Sequence, residues 1–292
     1  QIFSRFDDAA YCDGSPPCLL SWTSDQMEAL EHVYSLRTTY NIGAVNMSLG
    51  GGKYTSYCDT ASQKAAIDNL RTAGIATVIA SGNDGYCDGI SSPACISTAV
   101  SVGATTKSDA ETYYNNYHPT LMTLFAPGSS IYSSVPGGWG YKSGTSMAAP
   151  HVTGAWAILK QKLPSASVSD ILNAFKTTGV SVTSPCDGNQ KPRIDVMAAL
   201  NYLSSTCSNP SVKLGLLDFS SIQTAYSNAS NSSVIQARAE SFSEDLIFNS
   251  NIAVTLTGGY DCNYTTNSGY TTVNGSITIS NGTAVIENIV IK

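Results

Sequence analysis

Apolar positions in the first two-thirds of the chain come in short continuous runs, and between those runs they recur at helical spacing. IGAVNMSLGGG (42–52), IATVIASGNDG (75–85) and STAVSVGATT (97–106) predict apolar strands, the first two ending in glycine. DTASQKAAIDNLRTAG (59–74) puts Ala65, Ala66, Ile67 and Leu70 on one side, with Gly74 as C-cap. SMAAPHVTGAWAILKQKL (146–163) predicts a helix of small residues suited to the centre of a core, and SDILNAFKTTG (169–179) and RIDVMAALNYL (193–203) predict two more. Strand, helix, strand with strands buried on both faces argues for a parallel α/β sheet. Past Cys207 the period changes to two. NIAVTLTGG and YTTVNGSITISNGTAVIENIVIK alternate, and Asn274-Gly275 and Asn281-Gly282 carry the signal of tight hairpin turns. The expectation is an α/β domain over 1–207 and a small antiparallel β-sandwich over 208–292, with no internal repeat longer than the hairpins.

Composition narrows the function classes. With 292 residues, 42% of them hydrophobic, the chain can bury one large core and a second small one. Net charge is −6 and only 12% of residues are charged, so no basic stripe points to nucleic acid or an anionic membrane surface. No run approaches the length of a membrane span. The chain opens at Gln1 without a signal-peptide pattern, which reads as a processed or partial product. Eight cysteines in a chain rich in Ser, Thr and Asn predict disulfides and an oxidising, extracellular setting. No Cys-x-x-Cys pair exists and the histidines do not cluster with cysteines, so zinc is not expected and no metal site is assigned. Proximity suggests Cys12 with Cys18, and Cys58 with Cys95, the alternative for the latter being Cys87 with Cys95. Cys186 and Cys207 bracket the last predicted helix, and Cys262 is the lone cysteine of the C-terminal part. Asn228, Asn231, Asn263, Asn274 and Asn281 begin sequons, read either as a glycosylated surface or as the ordinary yield of such a composition. Asn46 also begins a sequon but sits in an apolar strand, where a buried structural amide is expected.

The chemistry concentrates in GTSMAAPHV (144–152), where Ser146 stands at a predicted helix start. Free backbone N–H groups there favour developing negative charge. The strand ends NMSLGG (46–51) and ASGN (80–83) lie at the carboxyl ends of parallel strands, the edge where open α/β sheets bind ligands. The motif is not the Gly-x-Ser-x-Gly elbow.

Together these segments resemble the subtilisin-like serine proteases, the subtilases. GTSMAAPHVTGAWAIL is similar to their nucleophile motif, and NMSLGGG, VIASGNDG, SVGATT and FAPGSSIYSSVPGG match in the family's order and spacing over roughly residues 1–205. The resemblance implies a subtilisin-like, mostly parallel sheet flanked by helices. It places Ser146 as the acylating nucleophile, next to Gly144 and Thr145, and Asn83 as the side-chain donor of the oxyanion hole. Ser48, Leu49 and Gly50 fall on the strand that pairs with substrate backbone. Gly51, Ala80, Ser81 and Gly82 fall on the walls of the pocket for the residue before the scissile bond. Family members often bind calcium, though no isolated ligand loop stands out here; no other cofactor is implied.

One departure matters. The family's Asp in an early strand and His in a His-Gly-Thr-His helix start have no counterpart. His151 belongs to the nucleophile motif, His32 is mid-helix and His118 lies in a loop before a proline; none has the context of the base. The implied function is a secreted serine endopeptidase acting on polypeptides, its His and Asp supplied by a separate or missing N-terminal segment. The alternative is a catalytically inert structural or assembly subunit.

Overall fold

The computed structural model describes residues 2–12, 15–205, 209–262, 264–267 and 269–292. The chain divides into two units, Gln1–Ala157 with Leu172–Ala199, and Ile158–Ile171 with Leu200–Lys292. Up to the end of α5 the elements are β1 (Ser4–Phe6), β2 (Cys18–Leu20), α1 (Thr23–Leu36), β3 (Ala44–Met47), β4 (Gly51–Tyr54), α2 (Lys64–Thr72), β5 (Ala76–Ala80), β6 (Ile90–Ser92), β7 (Val100–Thr105), β8 (Leu124–Pro127), β9 (Ile131–Val135), β10 (Gly138–Lys142), α3 (Thr145–Lys162), α4 (Val168–Thr178), β11 (Val180–Thr183), β12 (Gln190–Arg193) and α5 (Val196–Ser205). The main sheet has six strands in the order β11-β12-β8-β7-β5-β3. Every pairing is parallel except β11 with β12. The expected mostly parallel α/β sheet is present.

The sequence dictates the layering. Every residue of β5 and β7 is buried, which only a strand covered on both faces can be. Ile67 and Leu70 of α2 are fully buried in one cluster with Ile75, Ile79, Met122 and Phe125. Each such side chain contributes roughly 1.5–3 kcal/mol by leaving water. In α3, Ala148, Ala149 and Val152 are likewise fully buried, and Trp156 packs on Phe175 of α4. β3 is the last strand of the sheet order, and Asn46 within it is exposed rather than the buried amide expected. An edge strand lacks the second neighbour that would cover it.

Two disulfides are those expected, Cys12–Cys18 and Cys58–Cys95. Cys87 pairs with Cys186 across 99 positions, so the alternative partner for Cys95 is excluded and Cys186 is committed to the loop after β5. Cys262 is disulfide-bonded; Cys207 and Asn263 lie outside the described residues.

The C-terminal region corrects the sandwich. Its elements are β13 (Val212–Leu214), β14 (Leu217–Phe219), α6 (Ile222–Ser227), β15 (Ser233–Arg238), β16 (Ser241–Phe242), β17 (Leu246–Phe248), β18 (Ala253–Tyr260), β19 (Thr271–Val273), β20 (Ile277–Ile279), β21 (Thr283–Glu287) and β22 (Ile289–Ile291). It is β-rich and begins antiparallel, β13 with β14 and β15. After that the ladders run parallel: β15 with β18, β18 with β21, β16 with β19, β19 with β22, and β17 with β20. The strands therefore form a three-sided coil in which each turn stacks on the one before. Inward positions make columns, such as Ile235 and Leu256, both fully buried, while Ile286 next in register is exposed. Outward positions make others, such as Val234, Thr255 and Val285.

Neither Asn-Gly closes a hairpin. Asn274-Gly275 separates β19 from β20, and Asn281-Gly282 separates β20 from β21, strands that do not pair with each other. Both are corners. Glycine is needed because the neighbouring turn presses on it: a Cβ on Gly275 would lie 2.3 Å from the Glu244 carbonyl oxygen, and one on Gly282 would lie 2.2 Å from that of Ile252. A left-handed φ of +75° at Gly282 adds to this.

Leu256 is fully buried in the middle turn, whereas Val285 is 54% exposed. Leu256→Ala is expected to lower stability by about 2–5 kcal/mol, and Val285→Ala by less than about 0.5 kcal/mol, in urea unfolding followed on the C-terminal transition. Equal effects would show that the in-and-out assignment of the coil is wrong.

Candidate active site

The serine is fixed through its own backbone. Pro150 lies within α3, four residues after Ser146. Proline has no N–H, so the Ser146 carbonyl loses its usual helical donor. The Ser48 hydroxyl takes that place, donating to the Ser146 carbonyl at 2.8 Å across 98 positions of sequence. In the opposite sense, Ser146 Oγ donates to the Ser48 carbonyl at 3.3 Å. Asn46 donates to the Ser48 hydroxyl at 3.0 Å and accepts from Thr153 of α3 at 3.4 Å. The carboxyl end of β3 is thereby docked onto the start of α3, with Ser146 half-buried at the junction.

A second fastening joins β5 to the same helix end. Thr145 is fully buried. Its N–H and hydroxyl both donate to Asn83 Oδ1, at 2.8 and 3.0 Å. Its hydroxyl also accepts from the Gly82 N–H at 3.2 Å. These bonds decide the orientation of the exposed Asn83 amide. The oxygen is held by Thr145, so Nδ2 is the end left to donate. Gly144 lies against that amide, where a Cβ would be in ordinary contact 3.5 Å from Nδ2; its φ of +153° is what favours glycine.

The remaining expected residues are placed unevenly. Ser48 and Leu49 are half-buried, while Gly50 and Gly51 are exposed. A Cβ on Gly51 would meet nothing within 4 Å, whereas one on Gly50 would lie 3.1 Å from the Ser92 carbonyl oxygen. Ala80 and Ser81 are buried, so they shape the site through backbone and packing. Two depressions border these residues. One is lined by Ser146, Met147, Pro150 and His151 with one side of the β9–β10 hairpin. The other joins Leu49, Gly50 and Gly51 to Leu20, Trp22 and Pro93.

None of the three histidines hydrogen-bonds Ser146. The ring Nδ1 of His151 is bound to the Met147 carbonyl at 2.8 Å. His118 Nδ1 accepts from the N–H groups of Thr120 and Leu121, a local turn cap. His32 is exposed on α1. Among the described residues no group of three or more His, Cys, Asp or Glu side chains is arranged to hold a metal.

Sequence reading passed over Asn115 and Asn116, both buried in the loop between β7 and β8. Asn116 Oδ1 accepts from the N–H groups of Asp84 and Tyr86, at 2.8 and 3.2 Å, and its Nδ2 donates to Asp84 and Ser91. It lies under Gly82, where a Cβ would come 2.1 Å from Asn116 Nδ2. The only signal in the sequence was an Asn-Asn pair in a stretch that otherwise reads as loop. Close by, Tyr117 donates to Asp187 at 3.2 Å, and burial together with that bond pushes its hydroxyl up to about 12.

Comparison with known proteins gives the context. The subtilase family profile matches residues 9–192. An extracellular serine proteinase of a Thermus species is 44% identical over 138 residues, covering 45% of this chain and 31% of that protein. Subtilisin Savinase of Lederbergia lenta is 39% identical over 140 residues, covering 48% of this chain and 49% of that protein. The crystal structure of a cold-adapted subtilisin-like serine proteinase superposes with a TM-score of 0.50 at 30% identity, covering 62% of each chain. A protease from Pseudoalteromonas arctica gives 0.53 at 28% identity, covering 62% of this chain and 59% of that one. The chain spans less than half the length of most curated relatives it matches, for instance 29% of a subtilisin-like protease of Arthroderma otae.

Glu111, half-buried beside Asn115, titrates abnormally. Burial pushes its carboxyl up from the ordinary 4.5, hydrogen bonds from Ser184 and Asn115 oppose the rise, and the Asp187 charge adds to it. A raised value means that the folded protein keeps this proton to higher pH than the unfolded chain does. Stability therefore falls as pH climbs from about 4.5 toward the raised value, and the loss is complete above it. Glu111→Gln is expected to raise the unfolding midpoint at pH 7, and the gap to wild type should close below pH 4.5. Thermal unfolding at the two pH values checks this; a gap of the opposite sign at pH 7 would refute it.

Proposed function

The chain belongs to the subtilase family, and on that premise we propose that it carries the nucleophile and oxyanion side of a secreted serine endopeptidase. The observation that supports the reading best is the double fastening of the α3 start. Ser48 with Ser146 and Asn83 with Thr145 bring a serine hydroxyl and an oriented amide donor to one helix N-terminus.

Ser146 Oγ gives its proton to the base and attacks the scissile carbonyl; the peptide C–N bond breaks, the amine leaves with that proton, and water then hydrolyses the acyl-enzyme. Negative charge that grows on the carbonyl oxygen is met by Asn83 Nδ2 and by the Ser146 N–H, since the flanking Thr145 and Met147 N–H groups donate to Asn83 Oδ1 and the Gly144 carbonyl. A neutral amide suits this role because it stabilises the oxyanion without stabilising the free serine. Gly50 and Gly51 let an extended substrate backbone come close to the β3–β4 edge, where it would add as a strand. The base and its orienting acid come from polypeptide outside residues 1–292, continuous or nicked. β3 offers the place for it, an apolar strand paired on one side, by β5. A strand added there would carry the Asp, and the helix after it would bring a His against Ser146. Three disulfides among the described residues agree with an oxidising destination, and no helix there is long and apolar enough to cross a membrane.

In a preparation that includes the supplying segment, Ser146→Ala should abolish peptide hydrolysis and labelling by a fluorophosphonate. The loss of kcat should be on the order of 10⁶, a magnitude known from subtilisin itself rather than deduced from this chain. Asn83→Leu should lower kcat by about 10²–10³, again the subtilisin scale, with KM little changed because the oxyanion exists only near the transition state. Undiminished turnover in Ser146→Ala would end the proposal.

A further inference from the structure

The loop between β7 and β8 contributes no atom to the serine, yet its bonds surround Asn83. On the residue before, the Gly82 carbonyl accepts from the Asn116 N–H at 3.1 Å. On the residue after, the Asp84 N–H donates to Asn116 Oδ1 at 2.8 Å. Two positions before, the Ser81 hydroxyl donates to Asn115 Oδ1 at 3.3 Å, and the Ala104 N–H of β7 donates to the same oxygen at 3.0 Å. Asn115 Nδ2 donates to Glu111 Oε1 at 2.6 Å.

The choice of a carboxylate at 111 has a directional consequence. An ionised carboxylate only accepts, so it can face only the NH₂ end of the Asn115 amide. That holds Oδ1 toward the two donors, Ser81 and Ala104. A glutamine in the same place would still offer its Oε1 to that NH₂ end, and the Ala104 N–H, which only donates, selects the same Asn115 orientation; an alanine offers nothing. Glu111 is half-buried, a poor situation for a carboxylate, so its worth lies in this orientation rather than in stability.

We propose that Glu111, Asn115 and Asn116 are positioning residues for the oxyanion donor, setting Asn83 through the backbone on either side of it. The inference rests on the reading of Asn83 given above and specifies what holds that residue in place. Glu111 acts on Asn115, Asn115 on Ser81 and β7, and Asn116 on Gly82 and Asp84. None of the three touches substrate.

The test is a double-mutant cycle in the active preparation. Glu111→Ala should lower kcat about tenfold while KM moves less than about threefold. In an Asn83→Leu background the same substitution should lower kcat by less than about twofold, because the group it positions is gone. Glu111→Gln keeps an acceptor for Asn115 and should retain at least about half of the wild-type kcat, which separates positioning from a folding defect. A tenfold loss that persists in the Asn83→Leu background would overturn the proposal, as would unchanged kcat in Glu111→Ala. If Asn83→Leu itself leaves kcat unchanged, the oxyanion reading fails instead, and this inference with it. Hydrogen exchange gives a reading independent of turnover. The Ala104 amide should exchange at least about tenfold faster in Glu111→Ala than in wild type, and equal rates would overturn the proposal.

Discussion

One missing N–H governs the site. Pro150 cannot donate, so the Ser146 carbonyl is open within the first turns of α3, and the Ser48 hydroxyl closes it. A buried carbonyl left without a partner costs about 1–3 kcal/mol. The helix start is therefore stable only when the end of β3 is beside it. This makes the position of the serine a property of the sheet rather than of a loop. The Thr145 bonds to Asn83 do the same from β5. Two strands that are neighbours in the sheet each grip one residue of the helix start, and the two gripped residues are adjacent in sequence.

The small residues around the junction follow from this constraint. Gly82 is pressed by Asn116 and Ser91, and Gly144 faces Asn83. Any side chain at Gly82 would have to displace Asn116, which holds the Asp84 and Tyr86 backbone. Side-chain amides serve here where backbone pairing runs out. Beyond the end of β5 no strand pairs with residues 82–86, and Asn116 supplies the acceptor that a neighbouring strand would have offered. Glu111, Asp187 and the Arg193–Asp109 pair lie in or against the loops that support the strand ends, while Asp84 follows Asn83 directly and Lys142 lines the depression at Ser146.

Much of the first unit was legible because burial on both faces writes continuous apolar runs. Residues 76–80 and 100–105 could be read as strands without ambiguity, and GTSMAAP identified the helix start. Asn46 is exposed because β3 pairs on one side only, with β5, and its apolar spelling carries no sign of that. Asn115 and Asn116 were missed because a polar pair in a loop carries no mark of the residues it will reach. Cys87 was placed near its sequence neighbours, but its partner lies 99 positions away, a distance that proximity reasoning cannot span. The C-terminal error has a plain cause. Alternation with period two reports that one face is buried, and says nothing about whether the neighbouring strand runs parallel or antiparallel. Asn-Gly likewise reports a corner that needs glycine, and both a hairpin and a stacked coil have such corners.

The stacked coil also changes what an insertion means for this protein. In a sandwich, each strand is woven between others, and an added segment must find a place in a closed pattern. In the coil, Leu246 stacks on Ile277 and Val254 on Ala284, and each turn meets only the turns beside it. A duplicated turn would slot into the same columns without disturbing α6 or the antiparallel entry at β13 and β14. Length is therefore the free variable of this region. Lineages could draw it out or shorten it turn by turn, and the spacing it imposes on whatever it carries would change in even steps while the serine junction stayed as it is.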